Sequence, residues 1–368
     1  MSKFGYLGLK DESGVGYGVK HVSNKPRVSS MSYLYDIAEG NVSGHEPFFR
    51  AAFSPAIDTT LRTVWPYSAT QATYIFPTVA QQMEFLSSDN AQDIGTVIKG
   101  DATGNTVQAD ADGTTTLLED DSVDFTAATA VAAGDIVILD PHGAVPEFGY
   151  VTSIAANTLT IGNGFSHGGT AASRYYAVVD KSAYTGAMAF VIDYLDASYA
   201  VHREICVLNG TAVITTVNTN IFRIQDMHII ATGSGNAPVG NIFLRHIDNT
   251  PVYGYISAGF TTSRMGVFTV PASKTLYLTQ WMQGWATPND TKFQTARFIM
   301  RTNSFPNAPF RTSGIFYPVT ELIITNDQTS IEYTVPLKFI ATTDVTIAGI
   351  AFTGGTGPAT SVGRGWIE

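Results

Sequence analysis

Helical periodicity is almost missing from this chain of 368 residues. In its place run short segments rich in Val, Ile, Thr, Tyr and Phe, cut about every eight to twelve residues by Gly, Asn, Asp or Pro. A strand with alternating apolar residues buries one face only, so many such strands must cover one another as packed sheets. The fold class expected is therefore all-β. Strands are expected at ATYIF (72–76), QMEFLSS (82–88), DIVIL (135–139), YVTSI (150–154), TLTI (158–161), RYYAVV (174–179), MAFVIDYL (188–195), VHREICVL (201–208) and FRIQDMHIIAT (222–232), and the pattern continues almost to the end. One stretch departs from it. In SPAIDTTLRTVW (54–65), Ser54 can cap, Pro55 suits a first helical position, and Ile57, Leu61 and Val64 share a face. That spacing predicts a short helix ending at Pro66.

The punctuation divides the chain. Residues 1–50 are rich in Gly and Ser yet carry Phe4, Tyr6, Tyr17, Tyr33, Tyr35, Phe48 and Phe49. Such a segment cannot bury a core of its own, so it reads as an extended N-terminal arm that docks on another surface through those aromatics. Residues 94–184 read as an insert, opening on a polar Gly-rich run and continuing as short strands and tight turns, the makings of a small β-barrel that projects outward. The flanks, 51–93 and 185–240, supply a first β-sandwich of jelly-roll-like type, and residues 241–368 a second.

Within the last region, FTVPASKTLYLTQWMQGWA (268–286) reads as two strands about a corner at Pro271–Lys274, with Leu276 and Leu278 on one face and Tyr277 on the other. Trp281 and Trp285 on such a strand are inner-face packing residues or, in the rival reading, a glycan-stacking surface together with Tyr150 and the insert tyrosines Tyr175 and Tyr176.

Charge is where composition matters. Only 14% of residues are charged, against roughly 25% in ordinary soluble domains. A surface so poor in charge suits a protein largely covered by neighbours. The formal net charge is −10, with no basic cluster, so a nucleic-acid phosphate footprint is not expected. No run of about eighteen apolar residues occurs, and membrane insertion is not expected either. The first twenty residues show no secretory signal pattern, which points to synthesis in a cytoplasm.

Few motifs carry chemistry. QADADGTTTLLE (108–119) keeps Asp110, Asp112, Gly113 and Glu119 at EF-hand spacing, with Gln108 in place of the first carboxylate, and is a candidate calcium loop. GFSHG (164–168) matches a nucleophile elbow around Ser166, but a second Gly and another strand follow where a helix belongs. The seven histidines lack metalloprotease spacing; His202 with Glu204, and His228 with Asp226, share strand faces. Asp193, Asp196 and Glu204 are close enough in sequence to form a glycan-cleaving acid pair. The single cysteine, Cys206, reads as a small buried hydrophobe. No other cofactor is expected.

Several segments in order resemble a family of virion structural proteins of tailed bacteriophages, frequent in marine phages and mostly uncharacterised. They are FSPAIDTTLRTVW with YIFP (53–65 and 74–77), MEFLSSDNAQD (83–93), VLNGTAVITT (207–216), IIATGSGNAPVGNI (229–242), FTVPASKTLYLTQW (268–281) and PLKFIATTDVTIAG (336–349). The insert at 94–184 departs from the short Gly-rich turn usual there. The resemblance implies a particle component carried in many copies in the virion and does not imply an enzyme; the expectation is a non-enzymatic protein made in the host bacterial cytoplasm. The expected place is the exterior, as head decoration or fibre or as a neck–tail accessory. Its partners would be further copies of itself, a trimer among the closed forms, and other virion proteins such as the major capsid or neck and tail proteins. The alternatives are a tail receptor- or glycan-binding module and a glycan-degrading spike enzyme.

Overall fold

The computed structural model describes residues 36–103, 106–127, 131–162, 164–165, 171–182, 184–286, 294–304, 315–325, 327–352 and 355–368, and the backbone of 19–22 and 25–28. Strands β1 (Val19–Val22) and β2 (Lys25–Val28) form an antiparallel hairpin. Phe4, Tyr6, Tyr17, Tyr33 and Tyr35, assigned to the docking arm, lie outside the described residues, as do Ser166 and His167. The arm's last residues do not stay extended on their own, because β3 (Glu46–Ile57) begins inside it. Then come β4 (Arg62–Thr63) and β5 (Met83–Ser87). The insert holds β6 (Thr96–Gly100), β7 (Leu117–Glu119), β8 (Ile136–Leu139), β9 (Glu147–Ile154), β10 (Thr158–Ile161) and β11 (Tyr176–Asp180). After it run β12 (Ala187–Leu195), β13 (Val201–Val207), β14 (Ile214–Thr215), β15 (Arg223–Thr232), β16 (Ile242–His246) and β17 (Val252–Ile256). The chain closes with β18 (Val267–Thr269), β19 (Leu276–Trp285), β20 (Thr295–Thr302), β21 (Tyr317–Thr325), β22 (Gln328–Phe339), β23 (Asp344–Ala351) and β24 (Gly357–Ile367).

These strands build antiparallel sheets packed in pairs. In the first sandwich, the sheet β14-β5-β16-β17 faces the sheet β13-β12-β15. Phe85, Phe190, Ile192, Met227, Leu244 and Ile256 meet between them, with Trp65 and Tyr74 from the preceding loop. In the second, β18-β23-β20-β21, with β4 beside β23, faces β22-β19-β24-β3. Its core includes Trp281, Trp285, Phe298, Met300, Ile324 and Ala359. Alternation drives both: β19 buries Leu276, Leu278, Trp281, Gln283 and Trp285, and the face flips at a bulge between Leu278 and Gln280.

Pairing cuts across the sequence divisions. β3 and β4, drawn from 46–63, belong to the second sandwich, whereas β16 and β17 belong to the first. The corner at Pro271–Lys274 carries the chain between the two sheets of the second sandwich, since β18 pairs β23 while β19 pairs β22 and β24.

Two local expectations are corrected. Residues 54–57 are strand, not helix, and the rest of 54–65 is not helical. The ladder from β3 to β24 supplies tertiary pairing that a two-turn helix could not match, and Pro55 sits at its register shift, where a missing N–H removes no ladder bond. ATYIF is not a strand either. Tyr74 plugs the first core, its hydroxyl donating to the Tyr253 carbonyl at 2.8 Å.

The insert folds as one six-stranded sheet in the order β6-β11-β8-β9-β10-β7. β6 and β7 end that path without pairing to each other, so among the described residues the expected small barrel is an open sheet. One face covers its own core of Leu118, Phe125, Val137, Leu159 and Val178. The other does not project into solvent. Ile136, Ile138 and Val179 pack on Ala189, Val191, Ile205 and Ile230 from the outer face of β13-β12-β15. That explains why β8, IVIL, is buried on both faces, and it makes the insert a third layer on the first sandwich.

Candidate interaction surface

The two sandwiches meet along a seam rich in arginine and aromatic rings. Arg50 of β3 reaches into the first sandwich, its guanidinium donating to the carbonyls of Gln225, Met265 and Val267. Arg223 of β15 answers from the other side by binding the Asp344 carboxylate of β23. Its guanidinium lies over Phe222 at 3.9 Å and Phe76 at 5.2 Å, and Phe76 stacks on Phe316 at 5.7 Å. Buried carbonyls and a carboxylate satisfy both cations, so this seam holds the layers together.

A different chemistry covers the outward face of β22-β19-β24-β3. The register lines up Lys338, Tyr277, Trp366 and Pro47 in one row across the four strands, and Glu332, Gln280, Arg364 and Phe49 in the next. Tyr277 and Trp366 stack with centroids 5.1 Å apart, and Lys338 Nζ caps the tyrosine ring at 5.7 Å. Arg364 lies 5.9 Å over Phe49, which is 61% exposed. Further along, Gly284 leaves a notch of about 180 Å³ bordered by Met282, Gln328, Ser330, Thr360 and Val362. A Cβ at Gly284 would meet Thr360 Oγ1 at 2.8 Å. The notch is below the roughly 300–1,000 Å³ of small-molecule pockets.

At one side of the same sandwich, β21 and β22 end their sheets with edges that no other strand pairs among the described residues. Exposed apolar side chains stand on and beside them: Val335 is 77% exposed, Ile323 60% and Ile315 53%. Val335 stands on a bulge, because four residues of β22, 333–336, face Thr279 alone between the Leu278–Leu337 and Gln280–Glu332 pairs. Exposed apolar side chains mark a contact surface when they join into one patch, whereas single ones are ordinary.

The residues expected to act do not gather at one point. Trp281 and Trp285 are 0% and 3% exposed inside the second core, and Trp281 Nε1 donates to Ser361 Oγ at 2.8 Å. Neither can stack on a glycan, because both rings are used in inter-sheet packing. Tyr150 is half-buried against the insert–sandwich interface with Lys181 5.3 Å from its ring. Tyr176 is buried and donates to Asp120 Oδ2 at 2.7 Å; burial first, then that bond, pushes its phenol pKa up. Phe48 packs into the second core with its ring 4.9 Å from Phe268, so of the two aromatics ending the arm only Phe49 faces out.

In the candidate calcium loop, Asp110 Oδ2 accepts the Asp121 N–H at 2.6 Å, and the Asp110 N–H donates to the Glu119 carbonyl at 2.7 Å. Glu119 is in β7 opposite Thr158, and Asp112 is exposed in the turn. Among the described residues no three His, Cys, Asp or Glu side chains are grouped to hold a metal ion.

The carboxylates of a glycan-cleaving pair are also apart. Asp193 faces Arg203 and binds it at 2.6 Å, on the side of β12 away from the sandwich core. Glu204 faces Ile192 on the opposite side, and accepts the Val217 N–H at 2.7 Å and Asn218 Nδ2 at 2.9 Å, with His142 at 3.4 Å. Asp196 binds His202 at 3.0 Å, and His228 lies 3.9 Å from Asp193. Cys206 is buried in the first core, where burial pushes its thiol pKa up.

Sequence reasoning missed the residue on which the motif segments converge. Asp93, fully buried, accepts hydrogen bonds from Ser87 Oγ at 2.6 Å, Ala187 N–H at 2.8 Å, Val239 N–H at 2.9 Å and Gly240 N–H at 2.7 Å. Its carbonyl takes the Gly210 N–H at 2.9 Å. It thus ties both ends of the insert to the turns before β16 and after β13. Nothing in its spacing separates it from a solvated turn acid; its position as the last residue before the insert is the one available sign.

No protein-family model matches this sequence, and no curated protein matches it.

Proposed function

We propose that the chain is a non-enzymatic structural component of a tailed-phage virion, present in many copies on the particle exterior. The observation that carries the reading is the exposed apolar set on the second sandwich: Phe49 on its outward face, and Ile315, Ile323 and Val335 along its edges. Burying them against neighbouring copies or other particle proteins would remove an association hazard that the low surface charge does little to suppress. Each contact can be weak, because repetition by symmetry supplies avidity. The carboxylates that would serve a hydrolase are instead engaged in ion pairs and backbone hydrogen bonds, which suits a scaffold. Mass spectrometry of purified particles tests the proposal: the chain should be recovered at a copy number fixed relative to the major capsid protein. Its consistent absence from washed particles would overturn the reading.

A second reading, a glycan-binding tail module, draws on the outward face, where the Tyr277–Trp366 stack adjoins Gln280, and Gln328 and Thr360 border the Gly284 notch further along the same strands. Tyr277→Ala separates the two. It should abolish retention on host surface glycan if that face binds sugar, and leave particle incorporation unchanged.

A further inference from the structure

Arg301 of β20 has Thr346 of β23 directly opposite on one side and Pro318 of β21 on the other. Unlike Arg174 and Arg223, which hold carboxylates, it pairs with none among the described residues. Its Nε is buried and finds no hydrogen-bond partner among the described residues, and the same holds for the Thr346 hydroxyl across the ladder. The connection from β20 to β21 cannot supply the charge: residues 305–314, FPNAPFRTSG, contain no Asp or Glu and add another cation, Arg311. Burial with nothing to offset it pulls the guanidinium pKa down. Two unsatisfied polar groups side by side are rare in native proteins, and each calls for a ligand, a water or a partner.

We propose that Arg301 and Thr346 form a receiving site for a carboxylate that none of the described residues supplies. Nε–H and one Nη–H form a planar fork that matches the two carboxylate oxygens, and the Thr346 hydroxyl supplies a third donor; both Nε and that hydroxyl are covered, so the carboxylate displaces part of their cover as it binds. The Phe316 ring, 5.8 Å from the guanidinium carbon, shields part of the cation from water, and Phe76 stacks behind it. Exposed Ile75 and Ile315 adjoin that stack in sequence and give the site an apolar rim. A dry rim strengthens a charge-assisted hydrogen bond over its value in open water. The site stands on this geometry alone and does not depend on the chain's place in a particle.

The test titrates the full chain with acetate and with glucuronate at constant ionic strength, following the Arg301 Nε–H resonance, assigned by its loss in Arg301→Gln. A saturable shift is expected with both probes. Affinity should fall about tenfold or more in Arg301→Lys, which keeps the charge but loses the fork, and by a smaller factor in Thr346→Val. Glucuronate binding about tenfold tighter than acetate assigns the site to acidic sugars; equal affinities assign it to a bare carboxylate such as an Asp or Glu side chain. Arg301→Gln should melt no lower than the parent without ligand, since it removes an uncompensated charge, and should lose the stabilisation that carboxylate gives the parent. If that variant fails to fold, Arg301→Lys and Thr346→Val carry the comparison. No saturable shift with either probe up to about 100 mM, or unchanged affinity in those variants, overturns the proposal.

Discussion

Arg223 grips both oxygens of Asp344 across the seam between the sandwiches, Nε to Oδ1 at 3.0 Å and Nη2 to Oδ2 at 3.2 Å. Thr269 Oγ1 donates to Oδ1 at 2.6 Å, and Asn303 Nδ2 to Oδ2 at 2.8 Å. The pair is buried and fully hydrogen-bonded, so its net stabilisation over a well-packed apolar pair is small, but losing one partner strands a charge. Asp344→Ala is expected to cost about 3–5 kcal/mol in urea unfolding. Arg223→Met combined with Asp344→Leu should recover most of it. A loss below about 1 kcal/mol for Asp344→Ala would show that the seam does not rest on this pair.

Asp93 anchors the insert to the first sandwich by four hydrogen bonds to its carboxylate. Asp93→Ala removes a charged acceptor from buried donors, each worth about 1–3 kcal/mol when left unpaired. Amide exchange at Ala187, Val239 and Gly240 should accelerate by an order of magnitude or more, ahead of amides in β20 and β23. Equal acceleration throughout the chain would mean that Asp93 serves global stability and has no special role at the junction.

Asp196 gives an acid-dependent signature. Burial raises its pKa, but hydrogen bonds from Ser198, Ala200 and His202 outweigh that and hold it at about 2. A carboxylate depressed below its unfolded value contributes stability above the unfolded pKa near 4, lost as pH falls through the folded one. Asp196→Asn should therefore be destabilised at neutral pH by about 1 kcal/mol, allowing for solvent screening, and the gap to the parent should close between about pH 4 and pH 2. A gap that stays constant over that range would contradict the assignment.

Trp281 separates packing from recognition. Trp281→Ala should cost about 3–5 kcal/mol and leave retention on host glycan unchanged in whatever fraction remains folded. Loss of glycan retention with unaltered stability would restore the stacking reading.

The fold class was legible because alternation and turn residues are local signals: β12, β13, β15 and β19 stand where VIDYL, REICV, FRIQDMHII and LYLTQW place them. The strands left unread have small or interrupted patterns. β24, GPATSVGRGWI, turns Gly363 and Gly365 inward because the β19 bulge comes close there; a Cβ at Gly365 would meet the Tyr277 carbonyl at 1.9 Å. A glycine that serves close backbone approach is indistinguishable in sequence from one that ends a strand. The seam and the outward face were not legible at all. Arg223 and Asp344 are 121 residues apart, and Tyr277 reaches Trp366 only through a register that pairing sets.

Sedimentation of the purified full chain across a wide concentration range, beside an Ile323→Lys/Val335→Lys variant, tests the central claim most directly. Multi-copy association through exposed apolar edges predicts species that grow with concentration in the parent and collapse toward a single copy in the variant. A parent that stays single-copy throughout, indistinguishable from the variant, would contradict it.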